Sequence, residues 1–202
     1  TAEQNTGSQW MAFQHGEYDF SGNLIKCATG GGSAGNNTVS FTSSFPNTNY
    51  AIISNATDDT DSPAVNFTSG SKQVGQVTVR IENDSSFTEA VTSTNHCAFS
   101  HGEYAVGGAS IKAGSSVTAG SGDTTVPFSS SFSSTSYVVV AMSQAVTNNL
   151  CAPEIVSKVT GSFVIRFENN AGANCANRNF DWVAVSLGEY SGTEIPPVPT
   201  VS

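Results

Sequence analysis

Charged side chains make up only 11% of this 202-residue chain, and most of them recur at a fixed interval. Glu17, Glu103 and Glu189 each stand inside the tripeptide Gly-Glu-Tyr, 86 residues apart. Six of the seven basic residues pair off at the same step: Lys26 with Lys112, Lys72 with Lys158, and Arg80 with Arg166. A repeated set of acids and bases can do two kinds of work. It can form ion pairs inside a repeated unit, or it can line a duplicated ligand site. The internal ion pair is the expected role, and the ligand site is its alternative.

The residues that could catalyse do not assemble into a known pattern. His15 and His101 each directly precede Gly-Glu-Tyr, where the third copy has Leu187, and His96 opens the phrase His96-Cys97-Ala98-Phe99. A general base must reach a reacting proton, and a strand that joins two units is a poor place for one. A structural role at the junction is expected. Gly31-Gly32-Ser33-Ala34-Gly35 has the form of a nucleophile elbow, and Gly30, Gly32 and Gly35 that of a dinucleotide fingerprint. Both motifs need a strand-to-helix turn, and the segments that follow carry no helical pattern. No catalytic residue, cofactor or enzymatic activity is expected.

Asp58, Asp59 and Asp61 are the one acidic cluster. Hard oxygen ligands on a turn suit Ca²⁺, but the matching stretch around Gln144-Ala145 has no acids, so a solvated turn is expected and calcium is the alternative. Asn36, Asn55, Asn66 and Asn83 begin N-glycosylation sequons. Four cysteines escape the repeat, two in each unit. Their spacing fits no zinc site. One disulfide per unit, Cys27–Cys97 and Cys151–Cys175, is expected in an oxidising compartment.

The elements that would carry these residues are strands. Short β-branched and aromatic runs alternate with Gly/Ser/Asn turns, and no sustained helical period appears. The second unit reads as strands near 123–129, 136–143, 154–159, 162–168 and 180–187. The first reads as 37–42, 49–55, 63–68, 75–82 and 95–101. The pattern predicts an all-β chain of two tandem antiparallel β-sandwiches: residues 1–18 as a boundary or donor strand, 19–104 and 105–190 as the two modules, and 191–202 as a Pro-rich tail. Net charge is −9, which excludes a basic nucleic-acid-binding face. No apolar run approaches the ~20 residues of a membrane helix.

Thr38-Val39-Ser40-Phe41, Phe45-Pro46, Tyr50-Ala51-Ile52-Ile53 and Val77-Thr78-Val79-Arg80, followed by a closing aromatic strand, resemble the H-type lectin module. The second copy resembles it more closely through Val126-Pro127-Phe128, Phe132, Tyr137-Val138-Val139-Val140, Gly161-Ser162-Phe163-Val164-Ile165 and Phe180-Asp181-Trp182-Val183-Ala184-Val185. The resemblance implies a six-stranded antiparallel sandwich that binds sugars or builds phage-type fibres, often as a trimer. It carries no sugar-binding residue across, and His96 stands where the other closing strands have Trp10 and Trp182.

The chain holds two module bodies but three copies of the boundary strand: Trp10-Met11-Ala12-Phe13, His96-Cys97-Ala98-Phe99 and Trp182-Val183-Ala184-Val185, each leading to Gly-Glu-Tyr. Both sides of this strand are apolar, so it should be covered on both faces. A spare copy invites pairing with another chain. Its anchors would be Trp10, Ala12, Phe13 and Tyr18, or Trp182, Ala184 and Tyr190. The expected function is a structural subunit of an extracellular surface filament or virion fibre, with a carbohydrate-binding lectin or adhesin as the alternative. The expected partner is the chain itself, with glycans as further candidates.

Overall fold

A computed structural model describes residues 11–57, 64–68, 70–82, 93–119, 122–145, 151–169 and 171–187. It is all-β, with no helix among the described residues. The first seven strands are β1 (Gly16–Phe20), β2 (Asn23–Gly30), β3 (Gly35–Ser40), β4 (Tyr50–Thr57), β5 (Ala64–Thr68), β6 (Gln76–Glu82) and β7 (Ser93–Ser100). The next seven are β8 (Gly102–Val106), β9 (Ala109–Val117), β10 (Thr124–Pro127), β11 (Tyr137–Ala145), β12 (Ala152–Val159), β13 (Ser162–Glu168) and β14 (Asn179–Ser186).

Strand order repeats. The sheet β1-β2-β7-β4 recurs as β8-β9-β14-β11, and the series β3-β6-β5 recurs as β10-β13-β12. The two halves are then stitched. The end of β11 runs parallel to β5 at Gln144↔Phe67 and Ala145↔Thr68, which makes one seven-stranded sheet, β3-β6-β5-β11-β14-β9-β8.

The sequence pattern finds five strands in each half, and the structure has seven. The two missed in each half form an opening hairpin: β1 with β2, and β8 with β9. Their turns are two residues long with both φ positive, at Ser21 (56°) and Gly22 (89°), and at Gly107 (55°) and Gly108 (95°). Such turns match the right-handed twist of a hairpin. Gly-Glu-Tyr therefore opens the half that follows it. The middle copy of the boundary phrase is two strands, β7 and β8, parted at His101, whereas in the first copy residues 11–15 precede β1 outside any strand. The repeated strand sets span 16–100 and 102–186.

Three apolar cores result. One lies between the sheets of the first half, around Phe45, Tyr50, Ile52, Val79, Ile81 and Ala98. A second lies between those of the second half, around Phe132, Tyr137, Phe163, Ile165, Phe180 and Trp182. The third joins the halves, where Ile25, Cys27, Ala51 and Phe99 meet Ile111, Ala113 and Val183. The closing strands β7 and β14 are central and covered on both faces, as their sequence requires. On β14, Trp182 and Ala184 enter the second core, and Val183 enters the third. Each large apolar side chain so buried contributes roughly 1.5–3 kcal/mol.

Both expected disulfides are present. Cys27–Cys97 ties β2 to β7, and Cys151–Cys175 ties the start of β12 to the loop before β14. The Gly30–Gly35 segment links β2 to β3 with no helix, so neither glycine motif has its required context.

Gly114 on β9 lies under the Trp182 indole. A Cβ there would sit 2.8 Å from ring carbon Cζ2. Gly114→Ala should therefore destabilise the chain by about 1–3 kcal/mol through overpacking, read as a lower urea midpoint with an unchanged slope.

Candidate functional site

Glu17 with Lys26, and Glu103 with Lys112, form ion pairs inside each half. Lys26 on β2 donates to Glu17 on β1 at 2.9 Å, to the Ser43 carbonyl at 2.9 Å and to Ser43 Oγ at 2.5 Å. Glu17 also accepts from the Ser43 backbone N–H at 3.1 Å and from its hydroxyl. Lys112, Glu103 and Ser130 repeat the arrangement: Lys112 reaches Glu103 at 2.5 Å and Ser130 Oγ at 2.8 Å. Each trio pins the opening strand to the loop that follows β3 or β10. Burial works against both carboxylates, but hydrogen bonds from the serine and the lysine prevail. Glu17 is held below its ordinary range, and Glu103 falls to about 2. Lys26 and Lys112 are only 3% and 1% exposed, so neither can serve a surface ligand.

Arg80 and Arg166 also pair with protein acids, Arg166 at the surface. Arg80 meets the buried Glu82 at 2.6 Å. Arg166 meets Asp123 at 2.7 Å, with Glu168 at 3.5 Å and Glu154 at 3.8 Å.

Lys72 departs from this internal pattern. Its ammonium crosses to the second half and meets Asp181 of β14 at 2.6 Å, 109 residues away in sequence. The same ammonium donates to the Tyr50 carbonyl at 2.8 Å, and the other Asp181 oxygen accepts from the Ile52 N–H at 2.8 Å. Tyr50 and Ile52 lie on β4, the edge strand of its sheet. A neighbouring strand would offer β4 one donor and one acceptor at this point, and two side chains supply them instead. At this point the edge is closed without a strand, which disfavours pairing of another chain there.

Ser115 donates to Asp181 at 2.6 Å, and His101 Nε2 lies 3.1 Å from the Ser115 hydroxyl. The serine proton is committed to the carboxylate, so His101 does not activate Ser115 as a nucleophile. The His101 backbone N–H donates to the Asn49 carbonyl at 3.0 Å.

Sequence reasoning missed Asp181 and Ser115. The available signal was one acid inside the apolar run Phe180-Asp181-Trp182-Val183, because a buried charge needs a partner. The first half has Asn95 at that place.

His96 is buried on the same side of β7 as Ala98. Its Nδ1 bonds Ser54 Oγ and its Nε2 bonds Thr94 Oγ1, both at 2.7 Å. Small hydroxyls thus satisfy the histidine that replaces tryptophan.

The assembly residues separate. Trp182 and Ala184 belong to β14, which pairs with β9 and β11 of its own chain. Tyr18 lies in β1 opposite Ile25. None of these three is part of a spare strand. Phe13 packs edge-on against Phe99 with ring centres 5.1 Å apart, and Ala12 is exposed. Trp10, Tyr190, Glu189, Asp58, Asp59, Asp61 and Asn83 lie outside the described residues. Asn36 and Asn55 are exposed, whereas Asn66 is buried and accepts from Ser143 at 2.6 Å. A folded chain cannot present Asn66 for glycosylation.

Among the described residues, no three His, Cys, Asp or Glu side chains are placed to hold a metal ion. Among the same residues, no helix is long and apolar enough to cross a membrane. No protein-family model matches the chain, and comparison with curated proteins and with solved structures found no match either.

Two outcomes follow from this geometry. Lys72→Ala leaves the Asp181 charge buried and should cost about 3–5 kcal/mol, measured by chemical denaturation. The second concerns acid. Burial lowers His96 to about 4, and burial together with the Lys72 charge lowers His101 to about 4. The unfolded chain takes up these protons first, so stability should fall as pH drops from about 6.5 to about 4. In His96→Gln the loss over that window should be about half as large.

Proposed function

We propose that this chain is a non-enzymatic structural subunit of an extracellular filament or virion fibre, built by strand addition between copies. One observation carries the reading: the closing-strand sequence occurs three times, and the sheets have two places for it. β7 and β14 fill those places. The copy at Trp10–Phe13 has none, and residues 11–15 belong to no strand.

The donated segment is then short. Gly16, Glu17 and Tyr18 are committed to β1 by pairing with β2, so the free segment ends at about residue 13. It cannot take the closing-strand position in either half, because β7 and β14 already hold it. It must add at an edge of another copy. β4 is capped by Lys72 and Asp181, and β12 carries Pro153 and a bulge at Ile155/Ser157. Proline and bulges both discourage edge pairing. Edge strand β10 ends in Pro127. Among the described residues, this leaves the outer edges of β1, β3 and β8. Addition of an N-terminal segment to the edge of the next copy is head-to-tail, a contact that builds a filament when the rotation between copies does not close a ring. The two disulfides and the Ser/Thr/Asn/Gly-rich composition support an oxidising, extracellular setting.

Deleting residues 1–13 should yield a folded chain that no longer polymerises. A peptide of residues 9–13 should cap filament growth by the intact protein. The deletion must stop there, because removing Glu17 would strand the buried Lys26. Loss of the Phe13–Phe99 contact should cost only about 1 kcal/mol. Electron microscopy and sedimentation read the result, and normal filaments from the truncated chain would overturn the proposal.

A further inference from the structure

Three lysines of this chain face carboxylates across short contacts, and one pair differs from the others. Glu17 and Glu103 are one-fifth exposed, and their hydrogen bonds hold them ionised. Asp181 is 0% exposed. Burial pushes its carboxyl upward, against the Lys72 charge and the hydrogen bonds from Lys72, Ser115 and Ile52. Lys72 is 17% exposed, and its nitrogen lies 4.9 Å from the centre of the Phe67 ring and 5.5 Å from that of Tyr50. A medium of low polarity disfavours the Asp181 carboxylate and favours its acid form.

We propose that Lys72 and Asp181 condense to an amide, a covalent cross-link between the two halves of the chain. The lysine ammonium gives one proton to Asp181 Oδ1 across the 2.6 Å contact. The freed electron pair attacks Cγ and forms the nitrogen–carbon bond. Negative charge then gathers on Oδ2, where the Ile52 N–H already donates at 2.8 Å. A donor fixed at the developing oxyanion is the usual source of rate in acyl transfer. The nitrogen's second surplus proton passes to Oδ1 through the Ser115 hydroxyl, which bridges the two at 2.6 Å and 3.4 Å. The Cγ–Oδ1 bond breaks and one water leaves. One ammonium and one carboxylate become one neutral amide, with no oxidant or cofactor.

The product suits its site. The amide N–H still faces the Tyr50 carbonyl, and the amide oxygen still faces the Ile52 N–H. A peptide-like group would then occupy the β4 edge where a neighbouring strand's peptide would lie. Holding the two groups in contact removes the entropic cost of a bimolecular encounter.

The intact mass of the reduced, full-length protein tests the proposal. It should be lighter than the sequence requires by one water. A tryptic digest should show no cleavage after Lys72 and should join the peptide containing Lys72 to the one containing Asp181. Lys72→Ala and Asp181→Ala should each restore the missing water. An unshifted mass, with Lys72 open to amine reagents after denaturation, would overturn the proposal. So would a lost water that maps to any other residue.

Discussion

The arrangement of the two halves depends on a buried carboxylate. Asp181 stands on a strand covered on both faces, and it is fully enclosed. Left alone there, an ionised carboxylate would cost far more than a single domain's stability can supply. It is acceptable only because the first half delivers Lys72 and the Ile52 N–H, and because Ser115 of the adjacent β9 adds a third donor. The need is mutual. The β4 edge has a donor and an acceptor with no strand beside them, and buried backbone groups must be paired. One ion pair satisfies both halves, and it can do so only when they meet in this register.

The halves are alike in their cores and differ where they meet. The Glu–Lys–Ser trios and the stacked Phe45–Tyr50 and Phe132–Tyr137 pairs repeat almost atom for atom. At the junction the repeat breaks. Asp181 replaces Asn95. Cys27 and Cys97, bridged in the first half, correspond to Ala113 and Val183 in the second, and all four lie in the shared core. A disulfide is compact and apolar enough to occupy such a face, and it also braces the strands that carry it. Divergence at these places is what converts two equal units into one asymmetric body.

Much of this was legible in the chain. The repeated Glu17/Glu103 and Lys26/Lys112 pointed to internal ion pairs because both partners recur together. The cysteine pairing was readable because two fall in each half. The two apolar sides of the closing strand required a central position. Other features were hidden for physical reasons. β1 is only five residues long and Lys26 interrupts the apolar run of β2, so only the Ser21-Gly22 and Gly107-Gly108 turns betray them. Lys72 looked like Lys158, since nothing local shows that one of them finds a partner 109 residues away. Asn66 carries a valid sequon, and only tertiary packing shows that it is enclosed.

The central claim is that the Asp181 side chain substitutes for a strand at the β4 edge. Amide hydrogen exchange at Ile52 tests it directly. In the native protein this amide should be as protected as amides inside the β4–β7 ladder, although no strand lies beside it. In Asp181→Ala its protection should fall while the Ile53 amide, which faces β7, keeps its own. Rapid exchange at Ile52 in the native protein, or equal protection in the variant, would contradict the account.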